Sequence, residues 1–274
     1  MEKILFITDG LKLDQSALEF TCYLARFSRS TVTGIFLENM LANVKPVLEK
    51  ITSGVFQGSE QRAFETKKEI IAASRNSFLD ICRRNSVRCN IHNDLGIPVS
   101  EVVAESRHAD LAVVSPNLSF DSKEEAAPSR FVKILLEEAE CPVIIAPDSF
   151  KEIEEIVFTY NGSASSVFAI KQFTYLFPNL EDIRTIILQV NDKPWTEKEK
   201  NNFKGWLENH YSALGFEVLA GNIETALYNW IQHRENAIVV MGAYGRSKIS
   251  QFFRRSTAEM LIRKPGHPVF ITHY

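Results

Sequence analysis

The residues best suited to chemistry lie late in the chain. An apolar run ends in Gly242-Ala243-Tyr244-Gly245-Arg246-Ser247-Lys248, and Arg254-Arg255-Ser256-Thr257-Ala258-Glu259 follows a short way on. Two glycines let a backbone come close to a ligand, and a helix opening at Ser256 or Thr257 supplies unpaired N–H groups and a partial positive charge. Arg246, Lys248, Arg254 and Arg255 add charge-assisted donors, the arginines in a two-point geometry that matches phosphate oxygens. That is the chemistry of a phosphate cradle. The same residues also describe a plain strand-to-helix turn beside a solvated basic face, so Gly-x2-Gly alone does not decide.

Other chemistries find less. Neither Gly-x-Ser-x-Gly nor Gly-x4-Gly-Lys occurs, which leaves an α/β-hydrolase elbow and a Walker-type loop without their residues. The six histidines show no His-x3-His or His-Glu-x2-His pairing, and Cys22, Cys82, Cys89 and Cys141 form no Cys-x2-Cys pair. The thiols therefore read as buried and reduced, His267 and His273 as strand-end residues, and no metal centre is expected. Asp9 closes the first apolar run as the phospho-accepting Asp of a receiver domain would, but the run Cys141–Pro147 lacks the lysine such a site needs. No carboxylate pair stands where acid–base catalysis would want one. Asn117-Leu118-Ser119 and Asn161-Gly162-Ser163 read as turns, and Phe252-Phe253 as core.

A frame must hold these residues, and the chain builds its frame twice. Glu2–Gly10 and Glu154–Ser163 each carry a β-branched and aromatic run ending in a turn signal, which predicts a buried strand feeding a helix. The helices are expected at Asp14–Arg29 and Ala164–Phe177, second strands at Thr31–Leu37 and Arg184–Val190, and second helices at Gln61–Arg84 and Glu197–Leu214. Third strands are expected near Arg88–His92 and Glu217–Ala220. The runs Ala109–Ser115 and Asn236–Gly242 are continuously apolar from Leu111 to Val114 and from Ala237 to Met241, as parallel strands covered on both faces require, and Cys141–Pro147 and His267–Thr272 close the halves.

Two successive five-strand units predict an α/β fold of two tandem Rossmann-like domains, each a mostly parallel five-stranded sheet flanked by helices. The domains are placed at 1–148 and 153–274. An insertion at about 39–60 holds Pro46, Gly54 and Gly58 and reads as a loop with room for one short helix. Ligands of open α/β sheets sit beyond the carboxyl ends of the strands where strand order reverses, so the ends of strands one, two and four are the places to inspect.

The bulk properties agree. At about 150 residues per domain, 274 residues suggest two domains, and 45% apolar with 24% charged residues is ordinary for a globular chain. Thirty-one basic residues against 34 acidic ones argue against binding to nucleic acid. No apolar run approaches the ~20 residues of a membrane span, and the start lacks the long apolar stretch of a signal peptide, so a cytoplasmic protein without membrane contact is expected.

The spacing Gly242-x2-Gly245-x9-Arg255-Ser256, the Thr8-Asp9-Gly10 end of strand one and the closing X-Pro-Val strands resemble the universal stress protein family. Both halves resemble it, over nearly the whole chain apart from 39–60. The resemblance implies an adenine nucleotide alpha hydrolase-like fold and ATP, with Mg²⁺, bound in the second half. There Gly242, Gly245 and Ser256 match the phosphate loop, with Arg246 and Thr257 beside it, while Asn161, Gly162 and Val190 match the ribose and adenine side. Two positions depart from the family pattern. Asn161 replaces an Asp, and Arg255 replaces a third Gly, where its side chain either contacts phosphate or fills the phosphate's space.

In the first half Asp9 keeps the strand-one acid and Ser129 the helix-start hydroxyl. Ser115-Pro116-Asn117-Leu118 has neither loop glycine, and Pro116 lacks an N–H, so this half is expected not to bind nucleotide. The function implied is a stress-response binding module without catalytic residues, any ATP hydrolysis being slow and incidental. The competing reading is a nucleotide-free interaction scaffold. The family also implies that the last strands pair, 142–146 facing 268–272 within the chain, with a homodimer as a further level of assembly.

Overall fold

The computed structural model describes residues 1–39, 58–121, 125–190, 196–219, 223–243, 261–263 and 266–273. Strand β1 (Lys3–Thr8) shows how the fold is built: Ile4 and Phe6 pack to one side, Leu5 and Ile7 to the other, and all four are buried. A strand apolar on both faces must be covered on both, and the helices do this. Helix α1 (Gln15–Ser28) starts where Asp14 Oδ1 accepts the Ala17 N–H at 3.0 Å and stops at Arg29, which takes a left-handed φ of 55°.

The first half continues with β2 (Thr31–Asn39), α2 (Gly58–Arg84), β3 (Cys89–Gly96), α3 (Pro98–Ser106), β4 (Leu111–Val114), α4 (Arg130–Glu138) and β5 (Val143–Ile145). The second repeats the plan with β6 (Glu155–Tyr160), α5 (Ala164–Leu176), β7 (Arg184–Gln189), α6 (Glu197–Leu207), β8 (Leu214–Val218), α7 (Ile223–Gln232), β9 (Ala237–Ala243) and β10 (Val269–His273). Helices α1, α2, α5 and α6 cover one face with Leu18, Phe78, Phe173 and Leu207, and α3, α4 and α7 cover the other with Val102, Leu135 and Ile231.

The ten strands among the described residues form one sheet in the order β3-β2-β1-β4-β5-β10-β9-β6-β7-β8. Pairing is parallel inside each half, and β5 meets β10 antiparallel, Ile144 opposite Phe270 between the pairs Val143–Ile271 and Ile145–Val269. Read outward from that seam the strand order is the same in both directions, which relates the halves by a pseudo-two-fold axis. The stretch between them is docked: Phe150 lies edge-on to Phe20 and Tyr23, and the Ile153 N–H donates to the Tyr23 hydroxyl at 3.1 Å. Among the described residues no helix is long and apolar enough to cross a membrane.

Several boundaries differ from the sequence expectation. The helix expected over Glu197–Leu214 ends at Leu207, and Leu214 opens β8 opposite Thr185. The helical period runs on in the sequence, but the chain must turn back to lay an edge strand beside β7. Strand β8 accordingly falls at Leu214–Val218 rather than Glu217–Ala220. Strand β3 extends to Gly96 through the polar Asn93-Asp94 because its whole length pairs with β2, Val32 with Cys89 through Asn39 with Gly96; partnering overrides local composition. Of the 39–60 insertion, Asn39 belongs to β2 and α2 opens at Gly58, while 40–57 lie outside the described residues.

Candidate functional site

In each half the first strand has the second on one side and the fourth on the other, the reversal of order beside which open α/β sheets place their ligand crevices. In the first half this crevice is a cleft of about 820 Å³ lined mainly by Phe6–Asp9, Lys12–Gln15 and Ser115–Ser119. Asp9 closes the turn that leaves β1, its Oδ1 accepting the N–H groups of Leu11 at 2.9 Å and Lys12 at 3.3 Å, while Gly10 takes a φ of 71° that a side chain would resist.

Asp14 ties two elements together: one oxygen caps α1 and the other accepts the Ser115 hydroxyl at 2.6 Å. Replacing Asp14 with Ala is expected to cost about 1–2 kcal/mol, because the cap is lost and Ser115 loses its acceptor; chemical denaturation measures it. Asn at this position retains the cap and most of the stability. Ser129 is buried at the start of α4, donates to the Leu118 carbonyl and accepts the Val132 N–H at 3.1 Å. Its hydroxyl is spent on the fold.

The electrostatics of this cleft oppose a phosphate. Asp9, Asp14, Asp121, Glu125 and Asp148 line it against Lys12 alone among the described residues, and Pro116 offers no N–H. A triphosphate would meet carboxylates where it needs donors, so these residues do not fit one.

The second half makes the same turn with different economy. Asn161 Oδ1 accepts the Ser163 N–H at 3.0 Å and the Ser163 hydroxyl at 2.6 Å, and Gly162 takes a φ of 79°. An amide oxygen thus does locally what the Asp9 carboxylate does, without a charge. Ser163 then caps α5, accepting the Ser166 N–H at 3.2 Å. Helix α5 starts three residues after Asn161 (161 to 164), whereas α1 starts six after Asp9 (9 to 15). The shorter turn brings the first turn of α5 onto the end of β9.

Gly242 is what admits it. A Cβ at that position would come within 2.2 Å of the Ser165 carbonyl oxygen and 2.6 Å of the Ser166 nitrogen. The register places Val113 beside Phe6 and Val240 beside Phe158, so Ser115 is the first-half counterpart of Gly242. A side chain fits there only because α1 begins further away. Val190, at the end of β7, donates its N–H to the Tyr160 carbonyl at 2.9 Å, so an adenine at this position would meet its carbonyl and not its N–H.

Asn161, Gly162 and Gly242 therefore gather at the ends of neighbouring strands, with Val190 one strand further out. Gly245, Arg246, Arg255, Ser256 and Thr257 lie outside the described residues. Sequence reading missed the hydroxyls of Ser163, Ser165 and Ser166, which join one another at the start of α5; the run Asn161-Gly162-Ser163-Ala164-Ser165-Ser166 was their signal. It also missed the acid-lined cleft, whose carboxylates come from separate loops. Among the described residues no three His, Cys, Asp or Glu side chains are grouped to hold a metal ion.

No family model matches the chain. A universal stress protein of Synechocystis sp. is 30% identical over 131 residues, 47% of this chain and 45% of that protein, so the match spans about half the relative's length. The fold likeness runs further: a universal stress protein from Archaeoglobus fulgidus superposes with a TM-score of 0.68 over 99% of this chain and 98% of that one, at 15% identity. The chain is similar to universal stress proteins, in sequence over about half its length and in fold over nearly all of it. A protein of unknown function from Pseudomonas aeruginosa also superposes, with a TM-score of 0.59 over 100% of this chain and 92% of that one at 12% identity. Both structural likenesses speak for the fold alone. The chain divides the residues that carry its sequence resemblance between its halves, Asp9 standing in the first and Gly242 in the second.

Proposed function

We propose that this chain is a cytoplasmic stress-response binding module whose second half, residues 153–274, holds ATP with Mg²⁺, and whose first half, residues 1–148, does not. The observation that carries the reading is the meeting of the Asn161-Gly162 turn, the Gly242 end of β9 and the capped start of α5 at the reversal of strand order. Gly245, Arg246, Ser256 and Thr257 would hold the phosphates, which the magnesium ion partly neutralises, and Val190 would face the adenine. The acid-lined cleft of the first half supports the asymmetry. We read binding rather than turnover as the task, with homodimer formation as a further level of assembly.

The test is to purify the chain without added ligand, unfold it, and identify released nucleotide by chromatography and mass spectrometry. A near-stoichiometric adenine nucleotide, lost in Gly245→Val, is the expected result. Arg255→Gly then reports the role of Arg255: tighter binding if its side chain fills the phosphate's space, weaker if it contacts phosphate. Saturating Mg-ATP at 100 times Kd should add about 2.7 kcal/mol of stability. No released nucleotide and no thermal shift would favour the nucleotide-free scaffold, a reading that gains from the close packing of the α5 start against Gly242.

A further inference from the structure

Three of the four cysteines meet in the first half. Cys22, midway along α1, and Cys82, in the last turn of α2, stand with their Sγ atoms 3.9 Å apart and share a hydrogen bond. Both are fully buried in the apolar layer under these helices. Cys89, at the start of β3, packs against the same layer but reaches the surface in part, and its thiol bears directly on that of Cys82. The Cys22 Sγ–H faces the Cys82 sulfur, and this contact draws the Cys22 thiol below its ordinary pKa while it drives that of Cys82 upward.

A disulfide needs the sulfurs about 2.05 Å apart. Closing the remaining gap falls to the last turn of α2, next to the tight turn at Ser86, where a helix yields at least cost. We propose that Cys22 and Cys82 are a disulfide-forming pair, oxidised by a hydroperoxide that enters at Cys89.

The steps balance. The Cys89 thiolate attacks the peroxide, the O–O bond breaks, and Cys89 becomes a sulfenic acid while the leaving alkoxide takes a proton to give the alcohol. The Cys82 thiol then displaces the hydroxyl as water, forming a Cys82–Cys89 disulfide. Attack by Cys22, which gives up its proton, on the Cys82 sulfur expels Cys89, which takes up a proton in turn, and leaves Cys22–Cys82 bonded. In sum, two thiols and one hydroperoxide give one disulfide, one alcohol and one water. The product lies in the apolar layer, shielded from thiol reductants, and joins helices that are 60 residues apart at the bonded positions.

The experiment treats the full, reduced chain with hydrogen peroxide, quenches with acid, alkylates the unfolded protein and maps its peptides without reductant. The expected result is a Cys22 peptide linked to a Cys82 peptide, with two of the four thiols lost. Cys141, buried and pushed up to about 12, remains alkylated. Cys89→Ala forms the same link more slowly. Full alkylation of Cys22 and Cys82 while Cys89 becomes a sulfinic acid would overturn the proposal, and so would a Cys82–Cys89 disulfide as the end product.

Discussion

Gly242→Ala is expected to destabilise the protein by about 3 kcal/mol, read as a fall in Tm of about 6–12 °C at the slope typical of chains near this size. The added methyl would stand 2.2 Å from the Ser165 carbonyl oxygen and 2.4 Å from its carbon. These are backbone atoms in the first turn of α5, so no side-chain rotation relieves the clash and the helix start itself must move off β9. The Ser163 cap and its bond from the Ser166 N–H sit in the same turn and would be strained with it. Gly245→Val makes the useful contrast, being expected to alter nucleotide binding more than Tm. A Gly242→Ala protein melting within 1 °C of the parent would show that α5 gives way freely and that Gly242 is there for a ligand.

Phe270→Ala is expected to cost about 3–5 kcal/mol, the range for deleting a fully buried aromatic side chain. Phe270 stands opposite Ile144 across the β5–β10 seam, and its ring meets that of Phe173 edge-on at 5.3 Å. The apolar layer containing it runs without a break from Phe6 and Leu111 of the first half through Ile144 to Phe158 and Val240 of the second. Loss at the seam is therefore shared by both halves, and urea unfolding should remain one transition with a lower midpoint and an unchanged slope. Two separated transitions in the variant, followed by backbone and aromatic circular dichroism, would mean that the halves hold their cores independently.

The sequence alone determined the element plan because the strands at the centre of a doubly covered sheet have to be apolar on both faces. Ile4–Ile7, Leu111–Val114, Ile156–Phe158 and Ile238–Met241 are legible for that reason, and the repeat supplied the order in which they come. Cap residues such as Asp14 and Ser129 are equally legible, since a helix start needs a side-chain acceptor supplied within three residues. Edge elements are less so: β8 and the far end of β3 exist because a neighbouring strand offers hydrogen bonds, and nothing in their own composition demands a strand.

The site divides along the same line. That Asp9, Asn161 and Gly242 stand at strand ends follows from sequence spacing, but what each does there depends on distances between segments far apart in the chain. Three residues fewer between strand and helix bring α5 onto Gly242; three more in the first half leave room for Ser115 and open the cleft beside it. The carboxylates of that cleft, and the meeting of Cys22 with Cys82, come from loops and helices that only the folded sheet brings together. Local pattern specifies which residues are buried and where elements begin, because burial and capping act within a few residues. Tertiary packing decides which of those residues touch, because contact depends on how whole elements are offset against one another.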